Sequence, residues 1–104
     1  MGSYRSQLDI IADILRVVSQ DAKKTQIMYQ ANLSYRVLQR YLRRVTEASL
    51  VDFEDEANCY VLTSKGEEFL EAYKKYSKTN KTLEKRVNEA NNKRKNLEAL
   101  CSSE

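Results

Sequence analysis

Histidine and proline are absent from this chain, and glycine occurs only twice. Without histidine, the commonest side-chain acid–base and a principal zinc ligand are both missing. The two cysteines, Cys59 and Cys101, stand far apart without metal-ligand spacing. Each reads as a small apolar side chain destined for burial, and no metal or cofactor is expected. Two unpaired cysteines also suit a reducing, cytosolic compartment. There is no glycine-rich phosphate loop and no paired-carboxylate pocket, so the chain reads as a non-enzyme with no small-molecule ligand. The lack of proline and the scarcity of glycine leave few, short loops and let helices run unbroken. No apolar run is long enough to span a membrane. The start, MGSYRSQLDII, lacks a basic region followed by an apolar block, so no signal peptide is expected.

What is present is a chain of 104 residues, 41% hydrophobic and 32% charged. That length holds one small domain and an appendage. The net charge of +3 hides an uneven distribution. Residues 1–48 carry eight basic and four acidic side chains, and residues 49–64 carry four acidic and no basic ones. Residues 65–104 carry ten basic and seven acidic side chains. The front is basic, the middle acidic and the tail mildly basic.

Helical periodicity marks a first helix from Tyr4 to Ser19, with Leu8, Ile11, Ala12, Ile14, Leu15 and Val18 on its apolar face. A short helix over 25–31 follows, capped by Thr25, with Ile27 and Ala31 facing inward. Asn32-Leu33-Ser34 is a turn, and Ser34 suits the cap of a third helix over 35–48. On that helix Leu38, Tyr41, Leu42 and Val45 share one side. Arg36, Arg40 and Arg43 share the other, with Gln39 beside them and Arg44 on the flank. Two strand-like runs, 50–54 and 59–63, are joined by an acidic link and form a hairpin. Thr63 or Ser64 caps the last helix, and Ser64-x-x-Glu67 reads as a capping box.

The last helix runs from about Lys65 nearly to the end. Its seam alternates steps of four and three: Phe69, Tyr73, Tyr76, Asn80, Leu83, Val87, Ala90, Arg94, Leu97 and Cys101. That is a heptad pattern, and one helix cannot bury it alone. The fold class is mainly α with a small β-hairpin: a winged helix-turn-helix head over 1–64 and a coiled-coil helix over 65–104. A seam partner makes the chain a homodimer. Parallel pairing sets Arg94 against its own copy. Antiparallel pairing centred near Lys85 sets Leu83 against Val87, Tyr73 against Leu97, Asn80 against Ala90 and Arg94 over Tyr76.

The strings KKTQIMYQANLSYRVLQRYL and YVLTSKGEEFL together resemble the archaeal winged-helix DNA-binding proteins with a C-terminal coiled coil, the 10a class of chromosomal proteins of Sulfolobus. The first string is the more specific of the two. The resemblance implies a homodimer joined by an antiparallel coiled coil, a head at each end, binding double-stranded DNA with little sequence preference in an archaeal cytoplasm, associated with the nucleoid. One departure stands out. The hairpin tip, DFEDEAN, carries no Arg or Lys to reach a phosphate.

The third helix occupies the place of a recognition helix, and arginine is both the commonest base reader in the major groove and a strong phosphate ligand. A solvated basic face is the ordinary alternative; an almost purely basic stripe on the one helix whose architecture calls for it outweighs that alternative. The expected DNA-binding residues are therefore Ser34, Tyr35, Arg36, Gln39, Arg40, Arg43 and Arg44. Lys24, Thr25 and Gln26 on the preceding helix join them as phosphate contacts. Nucleoid architecture with low sequence specificity is the reading adopted, with a sequence-specific transcriptional regulator as the alternative and a protein-docking winged helix behind it.

Overall fold

A computed structural model describes residues 5–102, so Tyr4, the expected start of the first helix, lies outside the described residues. The elements run α1 (Gln7–Val18), α2 (Lys24–Gln30), α3 (Tyr35–Glu47), β1 (Val51–Glu54), β2 (Cys59–Leu62) and α4 (Ser64–Leu100). This is the winged helix-turn-helix architecture that the periodicities imply. Among the described residues, no helix is long and apolar enough to cross a membrane.

The chain's shortage of glycine shapes its turns. Asp21, Asn32, Ser49 and Asn58 take the left-handed backbone region, with φ of 55°, 55°, 63° and 54°. Asn and Asp tolerate that region better than other side chains, because their short polar groups bond locally. After α2, Leu33 N–H donates to the Met28 carbonyl at 3.0 Å and Asn32 N–H to the Tyr29 carbonyl at 3.2 Å. After α3, Leu50 N–H donates to the Val45 carbonyl at 2.9 Å and Ser49 N–H to the Thr46 carbonyl at 3.0 Å. Both ends are Schellman closures, which satisfy carbonyls that a helix end otherwise orphans.

Helix starts depart from the sequence reading in two places. At α2 the cap residue is Lys23, with no side-chain capping bond, and Thr25 lies inside the first turn. At α4 the Thr63 hydroxyl accepts from Gly66 N–H at 3.0 Å, so Thr63 is the cap and Ser64 the first helical residue. The expected Ser64–Glu67 capping box does not form, because the third residue after the Thr63 cap is Gly66, which has no side chain to reach back. A reciprocal capping box does occur at α1, where Asp9 N–H donates to Ser6 Oγ at 3.1 Å and Ser6 N–H to the Asp9 carboxylate at 3.0 Å. Ser34 caps α3 as expected, accepting from Val37 N–H at 3.3 Å.

The core is built from Ile11, Ile14, Leu15 and Val18 of α1, Ile27 of α2, and Leu38, Tyr41, Leu42 and Val45 of α3. Leu50 and Val51 close it from the hairpin side. Leu8, expected on the core face, is 43% exposed, because it lies in the first turn of α1 at the edge of this cluster. β1 and β2 pair antiparallel from Val51↔Leu62 to Glu54↔Cys59. β2 gains a second neighbour at one residue: Ala22 N–H donates to the Tyr60 carbonyl at 3.1 Å, and Tyr60 N–H to the Ala22 carbonyl at 2.8 Å. That bridge ties the α1–α2 connection to the wing.

The start of α4 is locked to the end of α3. Thr63 Oγ1 donates toward the Ser49 and Leu50 carbonyls, at 2.7 and 3.0 Å, and Lys65 Nζ donates to the Ala48 carbonyl at 2.8 Å. Phe69 and Leu70, one turn on, pack against the core. The chain divides into two compact units between Tyr73 and Lys74. The second unit is helix from its first residue to Leu100, and every residue from 81 to 100 is exposed.

Candidate nucleic-acid interface

The bury-one-face pattern of α3 decides where its arginines go. Leu38, Tyr41, Leu42 and Val45 are drawn into the core, and Arg36, Gln39, Arg40 and Arg43 are left exposed on the opposite side. These four line a surface groove of about 620 Å³, together with Leu42, Thr46, Glu47 and Tyr60. Among the described residues, Arg36 and Arg43 meet no hydrogen-bond or ion-pair partner; the two ion pairs formed are Arg5–Asp13 and Arg16–Asp13. The Arg40 guanidinium lies 5.9 Å from the centre of the Tyr41 ring, within the reach of a cation–π contact. Three guanidinium groups thus stand in water with their donors available to an anion.

The remaining expected contacts are distributed differently. Arg44 turns toward α1, its guanidinium donating to Gln7 Oε1 at 2.8 Å, in a separate depression lined by Gln7, Arg40 and Tyr41. Ser34 spends its hydroxyl on the helix cap. Lys24 is half-buried. Its ammonium lies 4.9 Å from the centre of the Tyr35 ring, 3.4 Å from the Tyr35 hydroxyl, and donates to Gln39 Oε1. Thr25 and Gln26 are exposed on the first turn of α2, and Tyr35 is 57% exposed at the start of α3.

Beyond the expected set, Tyr60 and Glu47 also line the groove. Tyr60 lines the arginine groove and also a neighbouring cleft with Lys23, Lys24, Thr25, Phe53 and Asn58. Its ring meets Phe53 edge-on, 5.0 Å between centroids. It is paired with Phe53 in the hairpin and bridged to Ala22 on its other side, and a single bridge leaves no alternation to detect. Glu47 follows Arg43 by four residues, so helical spacing alone puts it on the arginine side. It is the one carboxylate among the groove's lining residues. The acidic hairpin residues Asp52, Glu54, Asp55 and Glu56 are all exposed.

The expected seam residues fall into two groups. Phe69 stacks on Tyr73 at 6.3 Å between ring centres, and the Tyr73 hydroxyl donates to the Asp9 carboxylate. The Arg16 guanidinium lies 5.5 Å from the centre of the Tyr73 ring. Both aromatics are thus engaged with the head. Farther along α4, Tyr76, Leu83, Val87 and Leu97 are 52%, 59%, 50% and 64% exposed, with Ala90 and Arg94 exposed between them. Asn80 Nδ2 donates to Glu84 at 3.3 Å. Cys101, expected to be buried, is an exposed free thiol at the end of this row, and Cys59 is half-buried in β2.

Comparison with known proteins agrees with the architecture. Residues 4–81 match the winged helix-turn-helix family. Over 68 residues the chain is 37% identical to the uncharacterized protein MJ0290 of Methanocaldococcus jannaschii, a match covering 64% of this chain and 31% of that protein. The chain therefore spans about a third of that relative's length. Among solved structures, Sso10a-2, a DNA-binding protein from Sulfolobus solfataricus, superimposes with a TM-score of 0.73 at 22% identity, covering 96% of this chain and all of that one.

Proposed function

The chain belongs to the winged helix-turn-helix family, and from that premise we propose that it binds double-stranded DNA as a homodimer, with α3 in the major groove. The exposed row of Arg36, Arg40 and Arg43, unmatched by carboxylate partners, carries this reading. Three free guanidinium groups on one helix face suit phosphate oxygens and guanine edges, and the width of a helix suits the major groove. The fold's likeness to a protein described as DNA-binding points the same way. The head is the binding unit, and the tail of α4 pairs two copies through Leu83, Val87, Ala90 and Leu97, with the two helices antiparallel.

The binding is architectural, associated with the nucleoid, and low in sequence selectivity. Arginine contacts to phosphates position a protein without reading bases, and their strength falls steeply with salt. The acidic wing tip repels phosphates and stays off the backbone. Titrating a mixed-sequence duplex at two salt concentrations tests the proposal: affinity should drop sharply at the higher one. Absence of binding at low salt overturns it. Occupancy mapped along the chromosome separates the architectural role from gene-specific regulation, continuous coverage marking the first and a few sharp peaks the second.

A further inference from the structure

Lys24 stands on α2, yet its ammonium reaches the recognition helix. It donates to Gln39 Oε1 and lies over the ring of Tyr35, 4.9 Å from its centre. Gln39 lines the arginine groove, whereas Lys24 lines the adjoining cleft. An ammonium has donors only, so the atom it holds must be the amide oxygen. The side-chain amide of Gln39 is therefore oriented: its oxygen is turned to α2, and its Nε2 donors, which meet no partner among the described residues, are left to the groove that Gln39 lines.

That orientation has a consequence for base recognition, and it rests on the DNA-binding reading above. A free glutamine reads adenine with both ends of its amide, accepting from N6 and donating to N7. With the oxygen turned to α2, only the donating end is offered. Guanine presents two acceptors in the major groove, N7 and O6, whereas adenine presents one acceptor beside a donor. We infer that Lys24 is a specificity-determining residue acting through Gln39. By holding the amide oxygen it turns this position of α3 into a donor that favours guanine edges over adenine. The bias is small, a single hydrogen bond within an interface otherwise dominated by phosphates.

The test uses the full chain and two duplexes, one of alternating G·C pairs and one of alternating A·T pairs, with the ratio of the two affinities as the readout. Lys24→Met keeps the stem and removes the donors. It should shift the ratio toward A·T by about two- to tenfold, the range for one hydrogen bond. Lys24→Arg, which can still hold the amide oxygen, should restore the wild-type ratio. In a Gln39→Ala background, Lys24→Met should leave the ratio unmoved. If Lys24→Met lowers both affinities equally, Lys24 is a phosphate contact and the inference falls while DNA binding stands. A shift that persists without Gln39 also overturns it. Failure of the wild type to bind either duplex overturns the DNA-binding reading itself, and this inference with it.

Discussion

The Tyr73 hydroxyl donates to the Asp9 carboxylate, joining α4 to the first turn of α1. The same carboxylate accepts from Ser6 N–H at 3.0 Å and so also closes the capping box. These two hydrogen bonds, the one from Tyr73 foremost, hold the Asp9 carboxyl below its ordinary value of 3.8. The Asp9 bond, aided by burial, raises Tyr73 above its ordinary 10.0. A lowered carboxyl contributes stability above its unfolded value and loses it as pH falls through the folded one; a raised phenol contributes below 10.0 and loses it only above. The pair therefore works across the neutral range and fails in acid. Asp9→Asn and Tyr73→Phe should each lower the urea midpoint near roughly pH 7. The gap to wild type should close as pH falls from roughly 4 through the lower folded value, where the carboxylate is protonated in both states. Urea titrations at neutral and at acid pH check it, and a gap that persists in acid contradicts it.

Gly66 makes a close approach at the same end of α4. A Cβ at this position would overlap the Leu50 carbonyl oxygen and stand 2.6 Å from Leu62 Cδ1. The Leu50 carbonyl cannot simply move aside, because Thr63 N–H at 3.2 Å and Thr63 Oγ1 at 3.0 Å also bond to it. Gly66→Ala should destabilise the head by about 1–3 kcal/mol, the range for overpacking. That outweighs the preference of about 1 kcal/mol for alanine over glycine inside a helix. Chemical unfolding measures the difference, and a variant as stable as wild type refutes the argument.

The arginines of α3 divide by their partners. Replacing Arg36, Arg40 and Arg43 together by Ala should weaken DNA binding strongly. It should also flatten the log–log salt slope by about 0.9 for each phosphate no longer neutralised, or about 2.7 for three. Arg44→Ala should change the slope less, because its guanidinium is held by Gln7. Affinity against salt for the two variants decides the matter; an unchanged slope in the triple variant removes the stripe from the interface.

Much of the fold and of the candidate site's layout is legible in residue order, and the unread part has a common cause. The buried side of α3 and its arginine side follow from a period of 3.6, which any amphipathic helix displays. The Ser34 cap and the long α4 are equally local. What local pattern cannot supply is the partner of a long side chain. Arg44 meets Gln7 across 37 positions, and Lys24 meets Gln39 across 15. Arg and Lys carry several rotatable bonds, so packing of α1 and α2 on α3 selects their direction. The choice between Thr63 and Ser64 as cap is likewise undecidable locally. Both are hydroxyls, and the Ser49 and Leu50 carbonyls select Thr63.

The wing offers a prediction of opposite sign. Asp52, Glu54, Asp55 and Glu56 are exposed, and none of them forms an ion pair among the described residues. Changing all four to Asn and Gln should leave DNA affinity unchanged or tighten it, since negative charge near phosphates is repulsive. Clear weakening with the fold intact would make the wing a DNA contact.

Pairing of two tails is the remaining question, and the exposed row on α4 frames it. Leu83, Val87 and Leu97 are each at least half exposed in the single chain. Covering such side chains contributes about 1.5–3 kcal/mol for each one fully buried, before association costs. Parallel pairing brings Arg94 against Arg94, a repulsive contact in a desolvated seam. Antiparallel pairing centred near Lys85 sets Leu83 against Val87 and lays Arg94 on the Tyr76 ring, where a cation–π contact is available. Its opposite ends bring Leu97 and Cys101 toward Tyr73 and Phe69, two aromatics already stacked on each other at the head. Flanking charges oppose this choice, Arg86 approaching its own copy, but exposed pairs contribute only about 0.2–1 kcal/mol. A spin label at Glu71 of each protomer reads the orientation. With about 1.5 Å of rise per residue, antiparallel pairing places the labels roughly 40 Å apart, and parallel pairing places them about two helix widths apart. A short distance refutes the antiparallel arrangement, and a monomer at micromolar concentration refutes the dimer.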